Sequence, residues 1–523
     1  MRDAREVAKV RAAEAELMAR LPAGALMQRA ATGLAAVCVQ VLGHVYGARV
    51  VVLAGSGDNG GDALYAAAQL ARRGTAVLAV AAGSRIHDGG AAALRAAGGR
   101  IVGPGDPAVG PAIDAAGLIL DGVLGIGGKG GLREPAATLA AAAGGSAATV
   151  VAVDLPSGVD ADTGAVDGAA VRADVTVTFG TWKPGLLIDP GASYAGVTEL
   201  VDIGLDLPAP DVVSAQAADI GVLLPSPTAD SDKYRRGVLG LVSGSERYTG
   251  AAVLSAGGAI RGGAGMIRFI SAQPAVDVVR QWWPETVITP LPPEPPGGGN
   301  RWQDTTARDF LESAGRVQAW VAGPGMGTGE DSAELLAAVL ATDLPVLVDA
   351  DGLTILAEHR DLLSRTAPTL ITPHAGELSR LTGADRADIE ARRLTHARAA
   401  ARSLGVTVLL KGSTTVICSP PGASWAHPDR VNSTGTPWLA TAGSGDVLSG
   451  LAGSLLAQGL NPPDAAAAAA FLHGVAARRA AAGPADAGDP GEADELATAL
   501  EGAPIGAADV LRALPDAIRA VRS

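Results

Sequence analysis

Short β-rich runs alternate with alanine-rich helical segments along most of this 523-residue chain, and this alternation restricts the folds that it can adopt. A first series extends from Ala48 to Ile203 and includes the runs RVVVLAG, LILDGVLG and ATVVAVDLPSG. A second series begins at Gly237 and includes GVLGLVSG, LPVLVDADG and VTVLLKGS. Strands that alternate with helices are typical of a parallel sheet covered by helices. The pattern therefore predicts an α/β fold in two successive parts.

The two series are separated by a segment in which the periodicity lapses. Prolines cluster between Leu207 and Pro227, which indicates a connection between domains. The chain is long enough for about two to four domains of roughly 100–200 residues. We predict one domain over residues 1–210 and a second over residues 220–523. The two series share no motif, so these are predicted to be different domains rather than an internal repeat. Leu291–Asn300 and Gly483–Gly502 are predicted to be loops.

Charge and cysteine content exclude several classes of protein. The formal net charge of −13 disfavours a general nucleic-acid or anionic-membrane surface, which would need a basic stripe. The two cysteines, Cys38 and Cys418, lie far apart and have no metal-ligand spacing, so neither a disulfide framework nor a zinc site is expected. The N-terminus is charged throughout and lacks the apolar segment of a signal peptide. We expect a cytoplasmic protein without nucleic-acid or membrane partners.

The first strand of the first series leads into a glycine-rich turn that opens a helix, GSGDNGGDAL. Doubly wound folds hold phosphates in this way, because backbone N–H groups and the helix N-terminus face the anion. The turn is not GxGxxG, and Asp58, Asn59 and Asp62 add oxygens that suit a cation or sugar hydroxyls as well as phosphate. By itself the motif is compatible with a nucleotide-like ligand and with a plain tight turn.

Two further strands of this series end in polar loops. One ends at Asp121 and continues into a glycine-rich loop that carries Lys129, and another ends at Asp154, which is followed by Ser157. The carboxyl ends of parallel strands meet at one edge of the sheet, where open α/β folds bind ligands. The three loops are therefore expected to form one site.

Residues 1–207 resemble the YjeF N-terminal domain, the NAD(P)H-hydrate epimerase family, through NGGDA, DGVLGIGGKG, DLPSGVDADTG and TFGTWKPGL in this order. The resemblance implies a Rossmann-like doubly wound sheet, with Asp154 and Lys129 as the catalytic acid/base pair. It implies a potassium ion held by Asn59, Asp121 and Ser157. The residues that it implies bind the hydrated nucleotide are Asp58, Asn59, Gly60, Gly61, Asp62, Gly125, Ile126, Gly127, Gly128, Lys129, Gly130, Gly131 and Asp154.

The first domain departs from the family's usual GNNGGDG by carrying Asp58 in place of asparagine and Ala63 in place of glycine. Asp58 adds a negative charge near the expected phosphate and cation. Lys183, in the TWKPG segment, is either a solvated lysine or a site contact. These positions bear on the local geometry of the site rather than on the family assignment.

In the second series, TAGSGDVLSG is typical of an anion hole at a helix N-terminus, from which Asp446 reaches a substrate hydroxyl. That helix position predicts a low pKa for Asp446. Together with KGSTTVI, VDADGL, TPHAGEL and AGPGMG, the motif makes Leu223 to the C-terminus similar to the ribokinase-like ADP-dependent NAD(P)H-hydrate dehydratases. The resemblance implies a ribokinase-like α/β/α domain that requires Mg²⁺, with Asp446 as the catalytic base. The expected hydrate contacts are Ala264, Gly325, His374 and Asp446, and the expected nucleotide contacts are Lys411, Gly412, Ser413, Thr414, Thr415 and Gly445.

The two resemblances imply a bifunctional repair enzyme, which we also expect to form a homo-oligomer. Its first domain would interconvert the R and S hydrates, NADHX and NADPHX, and its second would dehydrate the S form using ADP, releasing AMP and phosphate. The preference for ADP over ATP rests on the resemblance. One alternative is a ribokinase-like small-molecule kinase with an accessory nucleotide-binding domain, which predicts a stable phosphorylated product. Another is a first domain that only binds or scaffolds.

Lysine is rare in this chain, which has five lysines among 41 basic residues. Lys129, Lys183 and Lys411 fall inside the family motifs given above, and Lys233 falls inside KYRRGVLGLVSGS, a further segment of the second resemblance. An ammonium is compact and a guanidinium is planar, so the two are not interchangeable. The surviving lysines are therefore predicted to have roles that arginine would not fill.

Overall fold

The computed structural model of the chain describes residues 1–293, 301–302, 305–425, 428–483 and 502–522. The chain folds into two compact units, Arg2–Val212 and Val213–Ser523, with Met1 counted in the second. Each unit contains a largely parallel sheet and helices, which confirms the predicted α/β class. Most of the two predicted loops, Leu291–Asn300 and Gly483–Gly502, lies outside the described residues.

The first unit is built on a seven-stranded parallel sheet with the strand order β4-β3-β2-β5-β6-β7-β8. Its strands are β1 (Arg2–Ala4), β2 (Arg49–Ala54), β3 (Ala76–Ala81), β4 (Arg100–Val102), β5 (Leu118–Gly122), β6 (Thr149–Val153), β7 (Val175–Phe179) and β8 (Val197–Val201), of which β1 is not part of this sheet. Its helices are α1 (Val7–Met18), α2 (Ala25–Leu42), α3 (Asp58–Arg72), α4 (Asp88–Ala96), α5 (Val109–Asp114), α6 (Ala136–Gly144) and α7 (Gly191–Ala195). Successive strands are added on one side of β2 up to β4 and on its other side from β5 onwards. This switch point makes a ligand crevice at the carboxyl ends of β2 and β5.

Both faces of this sheet are buried, as the apolar strand sequences predict. Along β2, Val50 and Val52 face a core formed with α2 and α3, whereas Val51 and Leu53 face a second core formed with α5 and α6. The alternation follows from the two-residue period of a strand. Each fully buried Val or Leu side chain contributes about 1.5–3 kcal/mol to stability relative to an exposed one.

One helix within the described residues, α2, is long and apolar enough to cross a membrane by length and composition. Ala30, Leu34 and Cys38 on this helix are buried in the core beside α3. A core helix of a soluble protein meets the same criteria, so the observation is weak evidence for a membrane span.

In the second unit, the strands from Val238 onwards follow the order β18-β17-β16-β15-β14-β13-β10-β11-β12. All neighbouring pairs are parallel except β16–β17 and β17–β18. The strands are β9 (Val212–Ser214), β10 (Val238–Val242), β11 (Met266–Ser271), β12 (Val287–Pro290), β13 (Ala319–Ala322), β14 (Val346–Val348), β15 (Thr369–Ile371), β16 (Thr407–Leu410), β17 (Thr415–Cys418) and β18 (Asp429–Asn432). The helices are α8 (Ala217–Leu223), α9 (Thr249–Arg261), α10 (Gln273–Trp282), α11 (Ala307–Ser313), α12 (Glu330–Leu340), α13 (Asp351–Glu358), α14 (Ala375–Thr382), α15 (Arg386–Ala391), α16 (Arg393–Leu404), α17 (Ser444–Ala457), α18 (Pro462–Ala482) and α19 (Ala507–Arg522).

Helix α17, which carries Asp446, packs closely against α9. A Cβ atom at Gly450 would collide with the carbonyl oxygen of Ser255, and one at Gly258 would collide with the carbonyl oxygen of Val447. Glycine is required at both positions because the two backbones approach too closely for a side chain. This contact fixes the position of the helix that presents Asp446.

Candidate active sites

The first site lies at the carboxyl edge of the first sheet, where α3 begins at Asp58 directly after the loop that follows β2. Gly60 is buried, and a Cβ atom there would collide with the backbone of Gly55. The methyl group of Ala63 fits against β5 because the facing residue, Gly122, has no side chain. The departure from the family pattern at residue 63 is therefore accommodated by local packing.

The three residues expected to hold potassium come together at the end of β5. Ser157 donates to both carboxylate oxygens of Asp121, from its backbone N to Oδ2 (2.8 Å) and from its Oγ to Oδ1 (2.6 Å). Asn59 donates its Nδ2 hydrogen to the carbonyl oxygen of Leu124 (3.0 Å), and the backbone N of Leu124 donates to Ser157 Oγ (2.8 Å). Burial raises the pKa of Asp121 to about 6 although these hydrogen bonds from Ser157 oppose the shift. The group offers one carboxylate and several neutral oxygens, a set that suits a hard, singly charged cation.

Asp154 follows β6 with a left-handed backbone, φ 67°, which is uncommon for a residue with a side chain. Its Oδ1 atom accepts hydrogen bonds from Thr178 Oγ1 (3.2 Å), from the backbone N of Phe179 (3.3 Å) and from Lys183 Nζ. The Lys183 side chain is 1% exposed and also donates to Thr178 Oγ1 (2.9 Å) and to the carbonyl oxygen of Phe179 (3.1 Å). Lys183 is thus a buried contact rather than a solvated lysine.

Asp154 and Lys129, the predicted acid/base pair, are not paired in the structure. The Lys129 side chain is 68% exposed, and its Nζ donates to Asp160 Oδ2 at 2.8 Å. Lys183 takes its place beside Asp154 because Lys183 follows β7, and β7 is the neighbour of β6 in the sheet. Lys129 belongs instead to the loop after β5, whose Gly125 lies against the side chain of Asn59.

Further carboxyl groups surround Asp154. Burial, together with the charges of Asp154, Asp58 and Glu14, raises the pKa of Asp62 well above its usual value. The Oδ1 atom of Asp62 is buried and has no hydrogen-bond partner within the described residues. Burial and the charge of Asp154 likewise raise the pKa of Glu14. Glu14, on α1, carries no motif that would have singled it out in the sequence, whereas Lys183 lies in the TWKPG segment.

The second site lies at the carboxyl edge of the second sheet. Asp349, which follows β14, is 1% exposed and accepts hydrogen bonds from Lys411 Nζ (2.8 Å) and from Ser449 Oγ on α17 (2.6 Å). It thereby joins the end of β16 to the first turns of α17. Asp349 was not predicted as a site residue, although it belongs to the VDADGL motif that could have indicated it.

Asp446 lies in the first turn of α17, beside Gly445. Burial, followed by the negative charge of Asp349, raises its pKa to about 7, and the positive charge of Lys411 opposes the shift. The predicted low pKa is therefore wrong. The helix N-terminus favours the charged form, but desolvation and the neighbouring carboxylates outweigh it.

Lys411 and Gly445, two of the predicted nucleotide-binding residues, are brought together. A Cβ atom at Gly445 would lie 3.4 Å from Lys411 Nζ. Burial disfavours the charged form of Lys411. The negative charges of Asp349 and of Glu377, whose Oε2 lies 3.8 Å from Lys411 Nζ, outweigh this effect and raise the pKa of Lys411. The site therefore holds a permanent positive charge beneath the N-terminus of α17. The remaining predicted nucleotide residues, Gly412, Ser413, Thr414 and Thr415, form the turn between β16 and the start of β17.

His374 follows β15 at the N-terminus of α14. Its Nδ1 atom accepts hydrogen bonds from the backbone N atoms of Gly376 (3.0 Å) and Glu377 (3.2 Å), so the ring caps the helix. Burial, followed by the charge of Glu377, which opposes the shift, and that of Lys411, which assists it, leaves the pKa of His374 below its usual value. Its side chain is 54% exposed and remains accessible from the site.

Of the four predicted hydrate contacts, the structure separates Ala264 from the others. Gly325 packs against Tyr248 and Ala251 at the N-terminus of α9, on the carboxyl edge of the sheet. Ala264 follows the opposite end of this 13-residue helix, and its neighbour Gly265 bonds to Gly237 at the amino end of β10. A helix of this length spans about 20 Å. Ala251, rather than Ala264, lies beside Gly325.

Known proteins resemble the chain over nearly its whole length. A family model for NAD(P)H-hydrate dehydratase matches residues 239–496, and one for the YjeF-related protein N-terminus matches residues 23–185. A crystal structure of the ADP/ATP-dependent NAD(P)H-hydrate dehydratase from Bacillus subtilis, co-crystallised with ATP and Mg²⁺, is 26% identical and covers 58% of this chain and 97% of its own, with a TM-score of 0.47.

Curated relatives extend over both units. The chain is 47% identical over 500 residues to the bifunctional NAD(P)H-hydrate repair enzyme Nnr of Mycobacterium leprae, which covers 94% of this chain and 96% of the relative. The enzyme of the same name from Mycobacterium tuberculosis is 48% identical over 473 residues, covering 89% and 92%. That of Gloeobacter violaceus is 38% identical over 487 residues, covering 90% and 92%. The chain belongs to the family of bifunctional NAD(P)H-hydrate repair enzymes.

Proposed function

We propose that this chain repairs hydrated nicotinamide nucleotides in two steps, one in each unit. Residues 1–210 interconvert the R and S forms of NADHX and NADPHX, and residues 220–523 dehydrate the S form with ADP. The observation that carries the proposal is the presence, at the carboxyl edge of each sheet, of a reactive carboxylate beside a buried or partly buried lysine. These are Asp154 with Lys183 and Asp446 with Lys411.

In the second unit, Asp446 is the base for phosphoryl transfer. The C6 hydroxyl of the hydrate attacks the terminal phosphoryl group of ADP, a C6–O–P linkage forms, the bond to AMP breaks, and Asp446 takes the hydroxyl proton. Phosphate then leaves with the C6–O electron pair while C5 loses a proton, which restores the ring double bond. A base is most effective when its pKa lies near the operating pH, and the pKa of Asp446 is about 7.

The adenine nucleotide is held by Lys411–Thr415 and by the N-terminus of α17 at Gly445. Backbone N–H groups at a helix N-terminus bind phosphate oxygens, and the ammonium group of Lys411 adds a positive charge. The predicted hydrate contacts Gly325 and His374 lie on the same edge of the sheet, and Ala251 replaces Ala264 in this proposal.

Magnesium fits the charge balance of this site. Asp349, Asp351, Glu377 and Asp446 face one lysine, so a polyphosphate would enter an excess of negative charge. Among the described residues, no group of three or more His, Cys, Asp or Glu side chains is arranged to hold a metal ion. We therefore expect Mg²⁺ to be held chiefly by the nucleotide phosphates and water, as is usual for this ion. When bound, it neutralises the charge that develops on the transferring phosphoryl group.

In the first unit, Asp154 faces the reacting ring carbon. Inversion at C6 passes through a cationic ring, which the fixed Asp154 carboxylate stabilises, and the proton that the departing hydroxyl takes up comes from solvent water and returns to it when water adds to the other face. We propose that Asn59, Asp121 and Ser157 hold potassium, whose positive charge offsets the burial of the Asp121 carboxylate. Asp58–Asp62 and Gly125–Gly131 contact the nucleotide, and the exposed Lys129 suits a phosphate contact better than proton transfer.

A cytoplasmic location is also proposed. Both cysteines, Cys38 and Cys418, are buried and free, in keeping with a reducing compartment, where disulfides are rare. Homo-oligomerisation stays a prediction.

One experiment tests both activities. The purified chain is mixed with both hydrate epimers and with ADP or ATP, and the recovery of reduced nicotinamide is followed by its near-ultraviolet absorbance. Full recovery with ADP is the expected result. Recovery that stops at the S portion would remove the epimerase, and a phosphorylated product that accumulates without recovery would favour a kinase.

A further inference from the structure

We propose that Lys183 is a positioning residue of the epimerase site, whose ammonium group holds one oxygen of Asp154 and leaves the other oxygen for the reacting ring. The inference rests on the proposed epimerase function of the first unit. It concerns a lysine that does not itself reach the substrate but fixes the position of the carboxylate that does.

The hydrogen bonds around Lys183 leave it no spare proton. Its three donors are directed to Asp154 Oδ1, Thr178 Oγ1 (2.9 Å) and the carbonyl oxygen of Phe179 (3.1 Å). An ammonium has three donors and no acceptor, so this set is complete. Lys183 therefore acts through Asp154 rather than as a proton donor to substrate.

The two oxygens of Asp154 have different surroundings. Oδ1 accepts all three of the hydrogen bonds to this carboxylate, from Thr178, Phe179 and Lys183, whereas none of the hydrogen bonds within the described residues involves Oδ2. The left-handed backbone of Asp154 adds a strained conformation of the kind that recurs at functional sites. The carboxylate is thus held from one side and left open on the other.

The charges that face Asp154 explain why a cation is needed. Glu14 on α1, and Asp58 and Asp62 on α3, are all acidic, and the charge of Asp154 raises the pKa of Glu14 and of Asp62 in addition to the effect of burial. Lys183 and Arg11 are the cations that oppose this effect at Glu14. Lys183 is the cation that is hydrogen-bonded to Asp154, so without it this carboxylate would face the acidic groups with no bonded cation.

The surroundings of Lys183 also explain why this arginine-rich chain has a lysine rather than an arginine at this position. Burying an ammonium is costly unless it is paired and hydrogen-bonded, and Lys183 is 1% exposed with every donor used. A planar guanidinium has five donors in a fixed fork and would not match three acceptors grouped around one point. Lys183→Arg is therefore expected to restore the charge but not the geometry.

The test compares Lys183→Met with wild type in the full chain, using pure R and pure S hydrates with ADP. Repair of the R hydrate requires both units, whereas dehydration of the S hydrate requires only the second. We expect Lys183→Met to lower R-hydrate repair at neutral pH by about 100-fold, a typical contribution of a positioned acid or base. The loss should appear in kcat rather than in KM, because the residues proposed to contact the nucleotide are unchanged, and S-hydrate dehydration should be unchanged.

The matched control is Lys9→Met, in which a partly exposed lysine on α1 loses its contacts to Asp211 and to the carbonyl oxygen of Ala209. This variant should keep the wild-type kcat and KM for the R hydrate. A wild-type chain that fails to repair the R hydrate would refute the epimerase function itself. Normal R-hydrate repair by Lys183→Met, or a loss confined to KM, would refute the role of Lys183 alone.

A stability measurement covers the case in which Lys183→Met does not fold. Thermal unfolding of Lys183→Met is compared with that of the double variant Asp154→Asn/Lys183→Met, in which no carboxylate remains to be neutralised. Recovery of the unfolding temperature in the double variant is expected, because the defect is an uncompensated buried charge. A double variant that unfolds as early as Lys183→Met would show that Lys183 serves only packing and would overturn the proposal.

Discussion

The pKa of Asp446 makes a direct prediction for the pH dependence of the dehydratase step. The base must be ionised to accept the hydroxyl proton, so activity should rise with pH. With a pKa of about 7, Asp446 is ionised to about 90% at pH 8 and to about 10% at pH 6. The rate with the S hydrate should therefore fall about tenfold from pH 8 to pH 6. The assay follows the near-ultraviolet absorbance of the reduced nicotinamide at subsaturating S hydrate.

A charge variant tests the physical cause of this pKa. Among the neighbouring charges that act on Asp446, that of Asp349 is the largest, so Asp349→Asn should move the rise in activity to lower pH. An exposed aspartate of the same unit, Asp361, provides the matched control, and Asp361→Asn should leave the profile in place. A profile that is flat between pH 6 and 8 in wild type would refute the reasoning. It would mean that the helix N-terminus keeps Asp446 near the ordinary aspartate pKa of about 3.9.

Three further predictions concern stability and the first site. The pKa of Asp446 in the folded chain lies above its unfolded value, so ionisation of this residue costs stability as the pH rises towards 7. In thermal unfolding, Asp446→Asn should therefore stabilise the second unit by up to about 4 kcal/mol at pH 8 and by much less at pH 5. The same variant should abolish dehydration. An absence of stabilisation at pH 8 would contradict the raised pKa. Exchange of potassium for a bulky tetraalkylammonium ion should reduce R-hydrate repair and leave S-hydrate dehydration intact, and an equal loss of both would argue against a potassium site at Asp121. Gly450→Ala should destabilise the second unit by about 1–3 kcal/mol or more in thermal unfolding, because its Cβ would collide with Ser255, whereas Gly250→Ala, with open space around it, should not.

The motifs at strand ends predicted which loops of the first unit meet. NGGDA, the Asp121 loop and the Asp154 loop were expected to meet because parallel strands present their carboxyl ends at one edge, and Asn59, Asp121 and Ser157 do meet around Leu124. The choice of lysine could not be made in the same way. Lys183 is 29 residues from Asp154 along the chain, and Lys129 is at a similar separation on the other side. The order of strands in the sheet determines which of the two lies beside Asp154.

The second site shows a similar limit. A local rule predicted a low pKa for Asp446 from its helix position alone, but Asp349, which raises that pKa, lies 100 residues before Ser449, its partner on the same helix. The misplacement of Ala264 has a related origin. The motif around it was found correctly, but a helix that returns antiparallel to its strand carries its two ends to opposite edges of the sheet.

The sequence by itself determined the α/β class, the family and the polar loops at the strand ends, because these depend on periodicity and on short motifs that neighbouring residues form together. Only the tertiary structure decided which lysine serves Asp154, which end of α9 faces the second site and how readily Asp446 takes up a proton. Burial and charge–charge interactions depend on distances in space between residues far apart in the chain, so they are settled when the sheets are assembled.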